Sequence, residues 1–195
     1  MSTTRSYPRT FASEGGEIEL RLMTRADEAA VLAFAARLPE HDLLFLPRDI
    51  SQPKVVAAWA QEAERGAITS VLGLRGADVL GCATLVHDPL SWSRHVGELR
   101  LLVAPEARGK GLGQRLAQEA FALAVELGLE KFSAQMTVDQ RGAIAVFQAL
   151  GFRPEAMLHD HVKDRAGSAH DVIVLGCDVA RFENRLQAYG VTGET

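Results

Sequence analysis

At 195 residues, 47% of them hydrophobic and 24% charged, the chain has enough apolar material for one domain with its own core and too much for a disordered one. A formal net charge of −4 argues against a general nucleic-acid binder, which needs a basic surplus. No apolar run approaches the ~20 residues required to cross a bilayer, and Met1–Gly16 lacks the apolar segment of a secretory signal, so the expected location is the cytoplasm.

In chain order, residues 1–16 read as a flexible tail ending in Gly15-Gly16. Ile18–Met23 alternates apolar and polar residues, the period of a half-buried strand. Thr24, with Asp27 three residues on, suits the N-cap of a helix through Leu38 that Pro39 closes. His41–Pro47 is an apolar loop, equally suited to lining a substrate cleft and to plugging the core. Ser51 and Pro53 start a second helix running to about Arg65. Ala67–Leu74 and Val79–His87 flank the turn Arg75–Asp78 as an antiparallel hairpin. Val96–Val103 is the next strand, and Gly111–Gly128 is a helix with leucines and alanines at helical spacing. Lys131–Val138 is a strand, and Asp139 or Gln140 opens a helix ending at Leu150-Gly151. Strands follow at Glu155–Val162 and His170–Cys177, and residues 179–195 supply a short helix and tail.

The richest segment is Val103–Leu116, where a strand runs through a turn with Gly109, Gly111 and Gly113 into a helix. The first amides of a helix lack intrahelical acceptors and the dipole there favours negative charge, so this order makes an anion site. Glycines let the backbone approach a phosphate with no Cβ between them. The spacing is neither that of the phosphate loop, which ends in Gly-Lys-Ser/Thr, nor that of the dinucleotide fingerprint.

Arg108-x-x-Gly111-x-Gly113 resembles the pyrophosphate-binding pattern of the GNAT superfamily of acyl-CoA-dependent N-acetyltransferases. A second stretch, Gln140-x-x-Ala143-Ile144-x-Val146-Phe147-x-x-x-Gly151-Phe152, is similar to that family's Asn-x-x-Ala-x-x-Leu-Tyr-x-x-x-Gly-Phe. The resemblance covers residues 17–178 and implies an α/β (α+β) domain. It would have a mixed central sheet of about seven strands, splayed at strands 4 and 5, with about four flanking helices. It implies acetyl-CoA as co-substrate, with pantetheine along the backbone of Leu101, Leu102 and Val103. The pyrophosphate would lie on the turn Gly109, Lys110, Gly111, Leu112, Gly113 and Gln114, with Arg108 and Lys110 adding charge. Gln140 and Phe147 would complete the cofactor site. The implied activity is acetyl transfer to a primary amine (a small metabolite, an amino acid or a protein lysine) by direct attack in a ternary complex. No metal, nucleic acid or membrane enters this scheme, and the oligomeric state stays open, a homodimer included.

Two departures bear on catalysis. Where many members carry a tyrosine that protonates the departing thiolate, this chain has Phe147, and where the ribosomal-protein alanine acetyltransferases carry a base, it has Gln135. These motivate a second reading, a non-catalytic acyl-CoA-binding sensor, beside the leading one of an N-acetyltransferase. Glu98 is the remaining candidate base, or else a strand residue that faces solvent or pairs with Arg100. His170-Asp171 suits a hydrogen-bonded structural role better than a titrating one, and His159 and His161 would share a strand face, a weak metal signal. Cys82 and Cys177 lie in strand-like runs and read as small buried hydrophobes.

Overall fold

A computed structural model describes residues 5–44 and 46–180. Its eight strands are β1 (Arg9–Ser13), β2 (Gly16–Leu22), β3 (Ile68–Arg75), β4 (Asp78–Val86), β5 (Val96–Val103), β6 (Lys131–Thr137), β7 (Arg153–Lys163) and β8 (Ala169–Asp178). They form one sheet in the order β1-β2-β3-β4-β5-β6-β8-β7. Every neighbouring pair is antiparallel except β5–β6. The helices are α1 (Glu28–Arg37), α2 (Pro53–Glu64), α3 (Leu112–Glu126) and α4 (Arg141–Ala149).

The sheet has one strand more than the sequence suggested, and it comes from the supposed tail. Arg9–Ser13 pairs with β2, and ahead of it Arg5 and Tyr7 hydrogen-bond the Glu119 carboxylate on α3 at 2.5 and 2.9 Å. Glu119 is buried, and an unpaired buried carboxylate is costly, so this segment is tied down. The short alternation in Arg9–Ser13 gave no strong strand signal before its partner was known. The helix expected after residue 179 lies almost wholly outside the described residues.

Helices α3 and α4 cover one face and α1 and α2 the other. Side-chain volume sets the seat of α3. A Cβ at Gly73 would lie 2.8 Å from Leu112 Cδ1, and one at Gly81 2.9 Å from the Leu102 carbonyl and 3.0 Å from Leu116 Cδ1. Two glycines thus let α3 settle onto β3 and β4, which fixes where its N-terminus emerges. On the other face, Trp59 of α2 donates its indole N–H to Ser70 Oγ at 2.9 Å, and Ser70 meets Thr84 at 3.1 Å. Phe147 of α4 packs edge-on against Phe152, with ring centroids 5.0 Å apart, and Phe152 leans on Phe132 at 6.0 Å.

Candidate active site

The parallel pair β5–β6 is joined only at Val96–Glu98 and Lys131–Ser133. Beyond that the strands part, each held on its far side, β5 by β4 and β6 by β8. The gap between Leu99–Val103 and Ala134–Thr137 is therefore a V-shaped opening in the middle of the sheet. Backbone groups alternate along a strand, and the Ala104 N–H donates to Leu80 on β4 at 2.8 Å. This alternation turns the polar backbone of Leu102 toward β4 and that of Leu101 and Val103 toward the opening. Leu102 thus departs from the expected role of holding a ligand by its backbone, and its side chain becomes a wall. The Val103 carbonyl accepts from Arg108 Nε at 3.0 Å.

The glycine turn sits at the wide end of the V. Gly109 and Gly111 have φ of +73° and +83°, where L side chains are strained, and a Cβ on either would meet nothing within 4 Å. Conformation, with open space beyond, is what requires glycine there. No backbone N–H from Gly109 to Gln114 finds an acceptor among the described residues, the first α3 bond being Arg115 N–H to the Gly111 carbonyl at 3.1 Å. A run of unpaired amides at a helix N-terminus facing open space suits a diphosphate.

A cleft of about 590 Å³ joins these parts. Of the expected residues, Leu101, Leu102, Val103, Arg108, Gly109, Gly113, Gln140 and Phe147 line it. Lys110, Gly111, Leu112 and Gln114 do not: the Leu112 side chain is fully buried, and Lys110 Nζ donates to the Glu106 carbonyl at 2.8 Å. Of the turn itself, Gly109 and Gly113 face the cleft. Arg108 lines the cleft with its guanidinium on the Asp42 carboxylate.

Gln140 does not cap α4. Its Oε1 accepts from the Thr137 N–H at 3.2 Å and its Nε2 donates to the His41 carbonyl at 2.8 Å. The side chain is a latch holding the α1–α2 loop over the cleft. His41 reinforces it, with Nε2 3.0 Å from Asp139 Oδ1 and 3.3 Å from Thr137 Oγ1. Asp139 is held below the ordinary carboxylate range by bonds to Thr137 and its own backbone and by His41, against an opposing desolvation cost that is the largest single contribution.

His41 and Asp42 line this cleft, whereas Leu46, Pro47, Arg48 and Ile50 line a second cavity of about 270 Å³ on the α2 face. The apolar loop is thus divided between two hollows. Leu102 is the wall they share. Sequence reasoning missed most of the second cavity, including Trp59, Thr84 and Arg100. It also missed Arg141–Ala143 in the first, although the spacing from Gln140 to Ala143 pointed there.

Glu98 lies outside both linings, its Oε1 accepting from Arg100 Nε at 2.7 Å. Cys82 faces the second cavity with its thiol pushed up to about 12, chiefly by burial. His170 is bonded to Asp164 at 3.0 Å and sets its ring edge against His41. The shared face expected for His159 and His161 is interrupted by a bulge, with Asp160 at φ +50° and a register shift between Leu158 and Val162.

Residues 33–152 match the model of the Acetyltransferase (GNAT) family. The chain belongs to the GNAT acetyltransferase family. Solved GNAT structures share the fold. A putative acetyltransferase from Salmonella typhimurium with its cofactor acetyl-CoA aligns at 20% identity, TM-score 0.69, over 83% of this chain and 94% of that one. The ribosomal-protein-alanine N-acetyltransferase from Brucella melitensis aligns at 23% identity, TM-score 0.69, over 82% and 98%. Spermidine N-acetyltransferase from Vibrio cholerae, in complex with CoA and spermine, aligns at 17% identity, TM-score 0.71, over 86% and 98%.

Proposed function

We propose that this GNAT chain transfers an acetyl group from acetyl-CoA to a primary amine, with both substrates bound at once. The observation that carries this reading is the run of unpaired amides from Gly109 to Gln114 at the open end of the β5–β6 gap. In this reading the amides hold the pyrophosphate of acetyl-CoA, while Leu101 and Val103 supply strand-like bonds to its pantetheine arm. The amine enters through the second cavity and meets the thioester across Leu102.

The amine nitrogen attacks the thioester carbonyl, the C–S bond breaks, and CoA leaves as its thiolate. Backbone amides beside the carbonyl stabilise the charge that grows on its oxygen. A lysine-like amine must first lose a proton, costing about 4–5 kcal/mol at pH 7 from a reference pKa near 10.4 and 1.36 kcal/mol per unit. Glu98, beside Arg100 on the strand leading to the site, takes that proton through a bridging water. Phe147 has no proton to give, and a thiolate with a reference pKa near 8.5 leaves with water as its acid. Cys82 stays protonated near neutral pH, which disfavours an acetyl-enzyme on this thiol.

Initial rates with labelled acetyl-CoA and a panel of amines test this reading. Double-reciprocal plots are expected to intersect, and mass spectrometry of enzyme plus acetyl-CoA alone to show no added acetyl group. CoA binding without transfer to any amine or protein would favour a sensor instead.

A further inference from the structure

The second cavity has a chemistry of its own. At about 270 Å³ it falls just below the roughly 300–1,000 Å³ of pockets for drug-sized ligands, which suits a molecule the size of one amino acid. Ile50, Val55, Trp59, Ile68 and Val86 give it apolar walls. Its charged lining is Arg48, Glu62 and Arg100. Arg48 and Glu62 lie 3.4 Å apart with side chains 61% and 37% exposed, so they offset each other at the solvent side.

Arg100 differs. Its side chain is 19% exposed, and its one acceptor among the described residues is Glu98, which takes only Nε. The Nη edge of the guanidinium has no acceptor among the described residues. A guanidinium edge matches a carboxylate through two parallel hydrogen bonds.

Building on the acetyltransferase reading above, we infer that the acceptor is an apolar α-amino acid. Its carboxylate pairs with the Nη edge of Arg100, its side chain lies against Trp59 and Val86, and its amine turns toward Leu102 and the thioester. A polyamine carries only positive charge, and a lining of two arginines and one glutamate opposes it.

The test compares leucine and phenylalanine with 3-methylbutylamine and 2-phenylethylamine, the same molecules without the carboxylate, and with spermidine. Wild-type protein, Arg100→Leu and Arg100→Lys are each given acetyl-CoA, and CoA affinity is measured by calorimetry. Wild type is expected to favour the amino acids by about 10- to 100-fold in kcat/KM, the scale of one bidentate charged pair. Arg100→Leu should lose that preference while binding CoA as tightly, and Arg100→Lys should keep part of it. Equal or better turnover of the decarboxylated amines or spermidine, transfer to protein alone, or an undiminished preference in Arg100→Leu would overturn the inference and leave the acetyltransferase reading standing. Absence of CoA binding would instead remove that reading, and this inference with it.

Discussion

Asp27 shows how one carboxylate serves several elements. It binds both Nη groups of Arg21 on β2, at 2.8 and 2.5 Å, and accepts from the Thr24 N–H at 2.8 Å, closing the entry to α1. The bond from Arg21, then those from Thr24, hold it below its ordinary value of 3.8 against the cost of burial. A lowered folded pKa means stability that is complete above the unfolded value and lost as pH falls through the folded one. Wild-type unfolding free energy should therefore drop as pH falls below 3.8. Asp27→Asn should be about 1.5–3 kcal/mol less stable at pH 7, the range for a hydrogen bond to a charged group, and show a flatter acid limb in urea titrations. Thr24 and Asp27 were legible in the sequence as a helix start, because the cap is local. Arg21 was not, because it reaches Asp27 only once β2 and the helix are placed.

Between elements, the decisive contact is α3 against β4. The glycines of the turn shape its backbone, but Gly81 decides how near α3 lies. A Cβ there would meet the Leu102 carbonyl at 2.9 Å, and a strand backbone cannot yield as a flexible side chain can. Gly81→Ala is expected to cost about 1–3 kcal/mol, the range for overpacking a tight core, and to weaken CoA binding by displacing the N-terminus of α3. Denaturant melts and calorimetry check both, and a variant as stable and as tight-binding as wild type would show that the helix tolerates the shift. Nothing in the sequence distinguished Gly81 from any other strand glycine. Its importance comes from Leu112 and Leu116, which reach it only in the folded chain. The hairpin at Arg75–Asp78, the β5 boundaries and the glycine-led start of α3 were all legible, since alternation, turn residues and helical spacing are local signals.

At the scale of the whole molecule, the proposed function depends on a sheet divided along one line. One arm of the gap is backed by β4 and the other by β8, so the opening costs no core. The cleft fills it from the α3–α4 face, the second cavity lies against the α2 face, and Leu102 separates them. The family and the glycine turn could be read from two motifs, but the second cavity could not, because Trp59, Thr84 and Arg100 come from three separate elements, α2, β4 and β5. Glu98 and its pairing with Arg100 could both be read from the strand, whereas the place of Arg100 in the wall of that cavity could not. In the proposed function, the unpaired amides of Gly109–Gln114 hold the diphosphate of CoA. Titration of 15N-labelled protein with CoA, followed by amide NMR, tests it most directly. The largest shifts are expected at Gly109–Gln114, with Leu101 and Val103 moving beside them. Shifts confined to other segments, or none at saturating CoA, would contradict it.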